Sequence, residues 1–381
     1  MDDNIVFVYR DILLPFSNTF INDHVCELRK FRPILIGTNQ SRPNIIPPNI
    51  QVVTADSAFP YGRAASFLHK VAAYSSSIAG AFCRLRPRLV HAHFGVDAMY
   101  ILPYARRYGV PMVVTFHGID ATAVFSESHQ GYSMKRLRAG KDVLFSYCKK
   151  IFVVSDFIAK NVIKLGADPD KVCRHYLGTR LPEVSAANTF EERDIDLLFV
   201  GRVLRQKGIF DFFHAAAMAD GSKWHPGKRI VVAGDGGDID AAKELANHLK
   251  LPVDFLGIQT ATQIDALMRR ARILCCPSKT GHDGWQEAFG LVFAEASARG
   301  TPSVATLHGG ISESCPDNVS GLLVPEGDVP AMASSIVNIH TNRLLWNRLS
   351  VQGMEYCRRN FDLQRQSAIL ESHYSSIVHQ C

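Results

Sequence analysis

The sequence predicts an α/β protein made of two doubly wound parallel sheets. Three observations carry that expectation: short apolar runs recur along the chain, helical patterns separate them, and one polar break divides the series in two. A length of 381 residues also exceeds one typical core and suits two domains of about 180 residues each.

The elements follow in order. Residues 4–9 form a continuous apolar run, as a strand buried on both faces would. Residues 32–37 and 50–54 read alike, and 89–93, 111–116 and 151–155 extend the series to six strands. Helical patterns over 19–30 and 62–84 lie between them, and Ser155 or Asp156 is placed to cap the helix after the sixth strand. This first domain is expected over 1–183, with a polar, weakly periodic linker at 184–194. A second series of strands, 195–200, 229–233, 253–256, 273–276, 303–305 and 321–324, makes a second domain over 195–360. Both domains are thus Rossmann-like, and an amphipathic pattern at 362–376 closes the chain within a final segment, 361–381.

Composition narrows the class. Hydrophobic residues make up 47% and charged residues 20%, ordinary for a folded α/β chain. No apolar run nears the roughly 18 to 20 residues that span a bilayer, and the N-terminus lacks a basic segment before an apolar stretch, so a cytoplasmic location is expected. The nine cysteines show no Cys-x-x-Cys spacing and read as free thiols. His91 and His93 alternate on one strand face, but no third ligand accompanies them, so a structural role is expected and no metal site. Net charge is +6, unevenly spread: residues 1–183 hold 23 Lys and Arg against 14 Asp and Glu, a balance of +9. A basic first half suits an anionic partner such as membrane phospholipid or a lipid-linked pyrophosphate, with Arg84, Arg86 and Arg88, and Lys135, Arg136, Arg138 and Lys141, as candidates. A solvated helix surface is the alternative, and no nucleic-acid partner is expected.

Chemistry concentrates after the strands of the second domain. Glu287 and Glu295 stand eight residues apart around a Phe-Gly-Leu turn that opens a helix. The N–H groups of Phe289, Gly290 and Leu291 would converge on an anion, with Glu295 one turn in and Glu287 ahead of the turn. Upstream, an apolar strand runs into Gly201, and Arg202 and Lys207 follow: a planar fork and a point charge for phosphate oxygens. A diphosphate and two hydroxyl-bearing groups can be held by such a set without a metal or cofactor.

These segments, with Gly-Asp-Gly-Gly at 234–237 between them, Thr115-Phe-His-Gly-Ile-Asp120 before them and Gly309-Gly-Ile-Ser-Glu313 after, resemble retaining glycosyltransferases of family 4 over essentially the whole chain. The resemblance implies the GT-B fold, in which two Rossmann-like domains face a deep cleft and a C-terminal helix crosses back to the first domain. It implies transfer of a hexose from a nucleotide-sugar donor to a saccharide acceptor with retained anomeric configuration. By the same likeness Glu287 and His117 are catalytic or sugar-contacting, Glu295 accepts from ribose hydroxyls, Gly236 leaves backbone room near the donor, Ile258 lies by the nucleobase, and Asp120 reaches an acceptor hydroxyl. In place of a Gly-Gly loop after the first strand, residues 14–21 carry Ser17 and Thr19. That variant resembles the branch acting in bacterial exopolysaccharide assembly, such as colanic acid or amylovoran, which implies a polyprenyl-pyrophosphate-linked acceptor and a peripheral place on the inner face of the cytoplasmic membrane. Ser17 and Thr19 contact ligand, or Thr19 simply caps a helix.

Other classes were weighed. A dinucleotide oxidoreductase lacks its Gly-x-Gly-x-x-Gly fingerprint after the first strand. A phosphorylase, an epimerase or an inactive nucleotide-sugar or glycan binder on the same scaffold stays open as an alternative.

Overall fold

A computed structural model describes residues 4–13, 19–40, 49–57, 62–126, 128, 131–182, 188–220 and 229–380, with only the backbone of Thr19, Ser57, Arg63 and Asp220. The chain divides into two compact units, Met1–Gly178 with Leu363–Cys381, and Thr179–Asp362. The candidate Ser17 and the side chain of Thr19 lie outside what is described.

In the first unit the strands are β1 (Ile5–Tyr9), β2 (Ile12–Leu13), β3 (Arg32–Gly37), β4 (Asn39–Gln40), β5 (Gln51–Thr54), β6 (Leu89–His93), β7 (Met112–Phe116), β8 (Lys150–Val153) and β9 (Val172–Arg174). Seven of them form one sheet in the order β5-β3-β1-β6-β7-β8-β9, all pairings parallel, while β2 and β4 pair separately. All five residues of β1, β6 and β7 are buried, the consequence of helices covering both faces. β9 had no counterpart in the expected strands. Its three partly exposed residues at the sheet edge carry neither an apolar run nor an alternation to reveal them.

The helical pattern over 62–84 is two helices, Gly62–Ala72 and Ser76–Leu85. Ala73 takes the left-handed conformation at φ +50°, and Ser75 starts the next helix by accepting from Ile78 N at 3.3 Å. The Ser75-Ser76-Ser77 run was the available signal for this break.

The second unit repeats the plan with β10 (Ile195–Val200), β11 (Ile230–Ala233), β12 (Val253–Gly257), β13 (Ala271–Cys275), β14 (Ser303–Thr306) and β15 (Gly321–Val324). Their order, β12-β11-β10-β13-β14-β15, is again wholly parallel and reverses between β10 and β13. Ligands of such sheets bind outside the carboxyl ends of the strands at that reversal.

The last helix, Leu363–Val378, belongs to the first unit. One oxygen of its Glu371 accepts from the amides of Arg29, Lys30 and Phe31 at 2.8, 2.6 and 3.0 Å, and the side chain is 3% exposed. Tyr374, one turn on, meets Phe31 edge-on and hydrogen-bonds His91 on β6. The helix is therefore bolted to the sheet by a buried carboxylate as well as by its apolar face. Glu371→Ala removes the shared acceptor of three amides, that of Phe31 buried, and is expected to cost roughly 1–3 kcal/mol. Glu371→Gln keeps an acceptor oxygen and should cost less, as read from urea unfolding midpoints of the two variants.

Candidate functional site

The residues singled out in the second unit meet at the carboxyl ends of β10 and β13. Beyond β10 the chain passes Gly201 and the exposed Arg202, turns once as a 3-10 helix at Arg205–Lys207, and enters helix Ile209–Asp220 through Gly208 at φ +77°. A Cβ on Gly208 would run into the Pro277 carbonyl, which lies in the loop after β13. Only glycine lets these two loops touch backbone to backbone, and that contact delivers Lys207 to Glu287.

Lys207 Nζ donates to Glu287 Oε2 in a mostly buried ion pair and lies 4.7 Å from the centre of the Trp285 ring. Burial pushes the Glu287 carboxyl up, but the Lys207 charge and hydrogen bond, with smaller help from His308 and Arg202, outweigh it and hold it below the usual glutamate value. The Glu287 carboxylate is thus charged near neutrality.

Just beyond, Gly290 at φ +76° begins helix Leu291–Ala298, and no side chain caps that end. The first N–H groups of such a helix have no partner within it and suit an anion. Phe289 is buried edge-on against Phe361 and its carbonyl accepts from Ser314 Oγ, which pins the turn from behind. Glu295 sits half-buried one turn into the helix. The far end is pinned by Arg193, 1% exposed, which donates to the carbonyls of Arg299 and Gly300, to Thr301 Oγ1, and to the carbonyls of Met268 and Ala271 at the end of helix Ala261–Arg270. Burial lowers that guanidinium to about 10, still charged, and it faces two helix C-termini where a cation is favoured.

A Cβ on Gly236 would meet the Val203 carbonyl, so this glycine lets the chain approach itself closely. Ile258 follows β12 with its side chain 56% exposed, an apolar surface left at a strand end.

In the first unit His117 follows β7. Its Nε2 hydrogen-bonds His93 Nδ1 at 2.9 Å, and its half-buried ring lies against Phe20 and Phe94 at 4.9 and 4.6 Å between centroids. Asp120, expected to reach an acceptor, is fully buried; it takes the amides of Gly95, Gly118 and His117 at 2.7, 2.9 and 3.2 Å. Both oxygens are committed, so its role is to shape the backbone that presents His117. His91 bonds Thr115 and Tyr374, the structural role its strand position suggested.

Residues 29–181 match the family described as Glycosyltransferase Family 4, and residues 182–355 match Glycosyl transferases group 1. The two matches together span most of the chain and make it similar to the family 4 glycosyltransferases. A D-inositol 3-phosphate glycosyltransferase of Thermobifida fusca is 28% identical over 77% of this chain and 70% of the relative. A namesake from Mycobacterium bovis is 30% identical over 65% of the chain but only 53% of the relative, so this chain spans about half of that protein. Anabaena HepE in complex with UDP and glucose superposes with a TM-score of 0.75 at 18% identity, covering 98% of this chain and 99% of that one. Sucrose-phosphate synthase from Thermosynechococcus elongatus gives 0.78 at 17% identity, covering 99% and 100%. The fold is GT-B.

One residue of this glycosyltransferase was missed by the sequence reading. His308 stands directly before the Gly309-Gly310 pair, whose first member would collide with the Glu287 carbonyl if it carried a Cβ, and Gly310 N donates to that carbonyl at 2.9 Å. The His308 side chain is fully buried, with Nε2 3.6 Å from Glu326 Oε1. Glu326 in turn holds Thr280. Its signal in the sequence is adjacency to the Gly309-Gly310 pair. Among the described residues no group of three or more His, Cys, Asp or Glu is placed to hold a metal ion.

Burial sets the pH response of the first unit. It lowers His24 and His91 to about 3 and His69 and His175 to about 4, from 6.5. Their neutral forms are favoured in the fold, so the stability they confer is present above pH 6.5 and is lost as pH falls toward 4. Asp97 and Asp120, raised by burial to about 6 from 3.8, act oppositely between 4 and 6, but four imidazoles outnumber two carboxyls. The unfolding midpoint of the first unit should therefore fall between pH 7 and 5, as followed by thermal melts across that range.

Proposed function

We propose that this glycosyltransferase moves a hexose from a uridine diphosphate sugar to a saccharide acceptor with retention of anomeric configuration. We further propose that the acceptor is carried on polyprenyl pyrophosphate at an anionic membrane surface, in the assembly of bacterial exopolysaccharide or a related surface glycan. The observation that carries the reading is the Lys207–Glu287 pair beside the uncapped start of helix Leu291–Ala298. A leaving diphosphate needs cations and oriented N–H groups; Lys207, Arg202 and the Gly290 turn supply them. Glu287 then has a hydroxyl-binding carboxylate to offer once Lys207 turns to phosphate, and Glu295 a second for the ribose. UDP as the nucleotide is supported by HepE, solved with UDP and glucose, and a phosphorylated polyhydroxy acceptor by the name of the inositol 3-phosphate relative. His117 contacts the donor sugar as a neutral imidazole, since burial holds its pKa well below the ordinary value. No helix among the described residues is long and apolar enough to cross a membrane, so contact with lipid would be peripheral.

The decisive experiment offers a panel of nucleotide sugars with and without saccharide acceptors and measures released nucleoside diphosphate and the product's anomeric configuration. Acceptor-dependent release with retention is expected; release without acceptor, or an inverted product, would refute the reading. Lys207→Ala should lower kcat/KM by an amount equal to about 2–4 kcal/mol in the transition state. Activity should persist in a chelator, because side chains and amides neutralise the diphosphate; abolition rescued by magnesium or manganese would assign that charge to a metal.

A further inference from the structure

Helix Gly62–Ala72 is turned inside out. Ala64, Phe67, Leu68 and Val71 stand at the i, i+3, i+4, i+7 spacing that a helix of a folded core normally buries, yet all four are exposed, Phe67 to 65% and Val71 to 49%. The polar residues face inward. His69 is fully buried between the hydroxyls of Tyr9 and Tyr104, at 2.8 and 3.2 Å, and Lys70 pairs with Asp11 at 2.7 Å. These satisfied polar contacts fix the rotation of the helix, so its apolar face cannot roll into the core.

The rim of this face is basic and aromatic. Arg136 donates to the Lys70 carbonyl and lies over Tyr100, which brings the start of helix Tyr132–Tyr147, with exposed Tyr132 and Lys135, to the end of helix Gly62–Ala72. Tyr74, 60% exposed, follows the same helix. An apolar stripe edged by tyrosines and cations is what an interfacial helix presents to a bilayer with anionic headgroups. A second copy of the chain fits less well, because a two-fold contact would set this basic rim against its own image. The other basic residues considered from the sequence are partly spent: Arg138 binds the carbonyls of Val124 and Ser126, and Lys141 pairs with Asp142.

We propose that the exposed apolar face of helix Gly62–Ala72, with Tyr74, Tyr132 and Lys135 at its edge, docks this enzyme on anionic lipid bilayers. The proposal deepens the reading of a membrane-held acceptor and rests on it for its purpose, but its physical claim is separable.

Cosedimentation with vesicles of phosphatidylcholine alone and of phosphatidylcholine mixed with phosphatidylglycerol tests it. The wild-type chain should bind the mixed vesicles, and Phe67→Ser/Leu68→Ser/Val71→Ser should bind at least about tenfold more weakly. Lys135→Glu should weaken binding and reduce its salt dependence. These residues are exposed, so melting curves should match the wild type, and transfer to a water-soluble acceptor should be unchanged. Equal binding by the triple variant, absence of wild-type binding to mixed vesicles, or a wild-type dimer that the triple variant converts to monomer would overturn the proposal. Vesicle binding through this face in a chain that transfers no sugar would instead sink the proposed function and leave the docking surface standing.

Discussion

The second unit depends on loops that touch backbone to backbone. Gly208 lies on the carbonyl of Pro277, and Gly309 on the carbonyl of Glu287. A methyl group at Gly208 would force apart the loops that carry Lys207 and Glu287, and one at Gly309 would push the loop after β14 off the Glu287 backbone. The Lys207–Glu287 pair is thus a consequence of glycine placement as much as of charge. An ion pair of this kind, mostly removed from water, gains little net stability, since desolvation offsets attraction. Its value is positional: Lys207 holds the Glu287 carboxyl below its ordinary pKa, and each side chain fixes where the other points. On the proposed function, a phosphate drawn to Lys207 would compete with Glu287 and free that carboxylate for another part of the ligand.

A second theme runs through both units: charged side chains buried against backbone instead of against opposite charge. Arg193 closes the carbonyl ends of two helices, Glu371 gathers three amides after the first helix, and Asp120 gathers three around His117. In each case the buried group meets oriented peptide dipoles, which offset part of the desolvation cost without a partner that could dissociate. Arg193 and the Phe289 turn hold the two ends of the eight-residue helix Leu291–Ala298. A helix that short would be marginal alone. Pinned at both ends, it can hold its N–H groups in fixed directions.

The strands and their parallel order were legible because burial on both faces leaves a plain mark, a continuous apolar run such as Ile5–Tyr9 or Ile230–Ala233. β9 was not, since three residues at an edge bury too little to constrain composition. The motifs around Lys207 and Glu287 were legible through their position after strands. What escaped was purpose that depends on three-dimensional neighbours. The close approach of Gly236 to Val203 has no mark in the sequence; Asp120 looked like a reaching group and is a bracket for amides; His308 looked like nothing beside the glycines it precedes. The inverted face at Phe67 and Val71 has the same periodicity as a core helix. Periodicity reports that a face exists, and only the fold says which way it points.

The contact between His93 and His117 constrains the first unit more tightly than either residue does alone. Nδ1 of one and Nε2 of the other lie 2.9 Å apart, so a single proton must sit between them. Burial lowers both rings well below the ordinary value, which excludes the doubly protonated pair near neutrality. If His93 holds the shared proton, His117 carries its own on Nδ1; if His117 holds it, its Nδ1 is a bare acceptor. Nδ1 is buried and has no partner among the described residues, a condition worth on the order of 1–3 kcal/mol. The stacked ring of His91, 4.3 Å from His93, is meanwhile locked between Thr115 and Tyr374. His93 therefore has a fixed place but a choice of proton, and that choice decides whether His117 offers a hydrogen-bond donor or an acceptor.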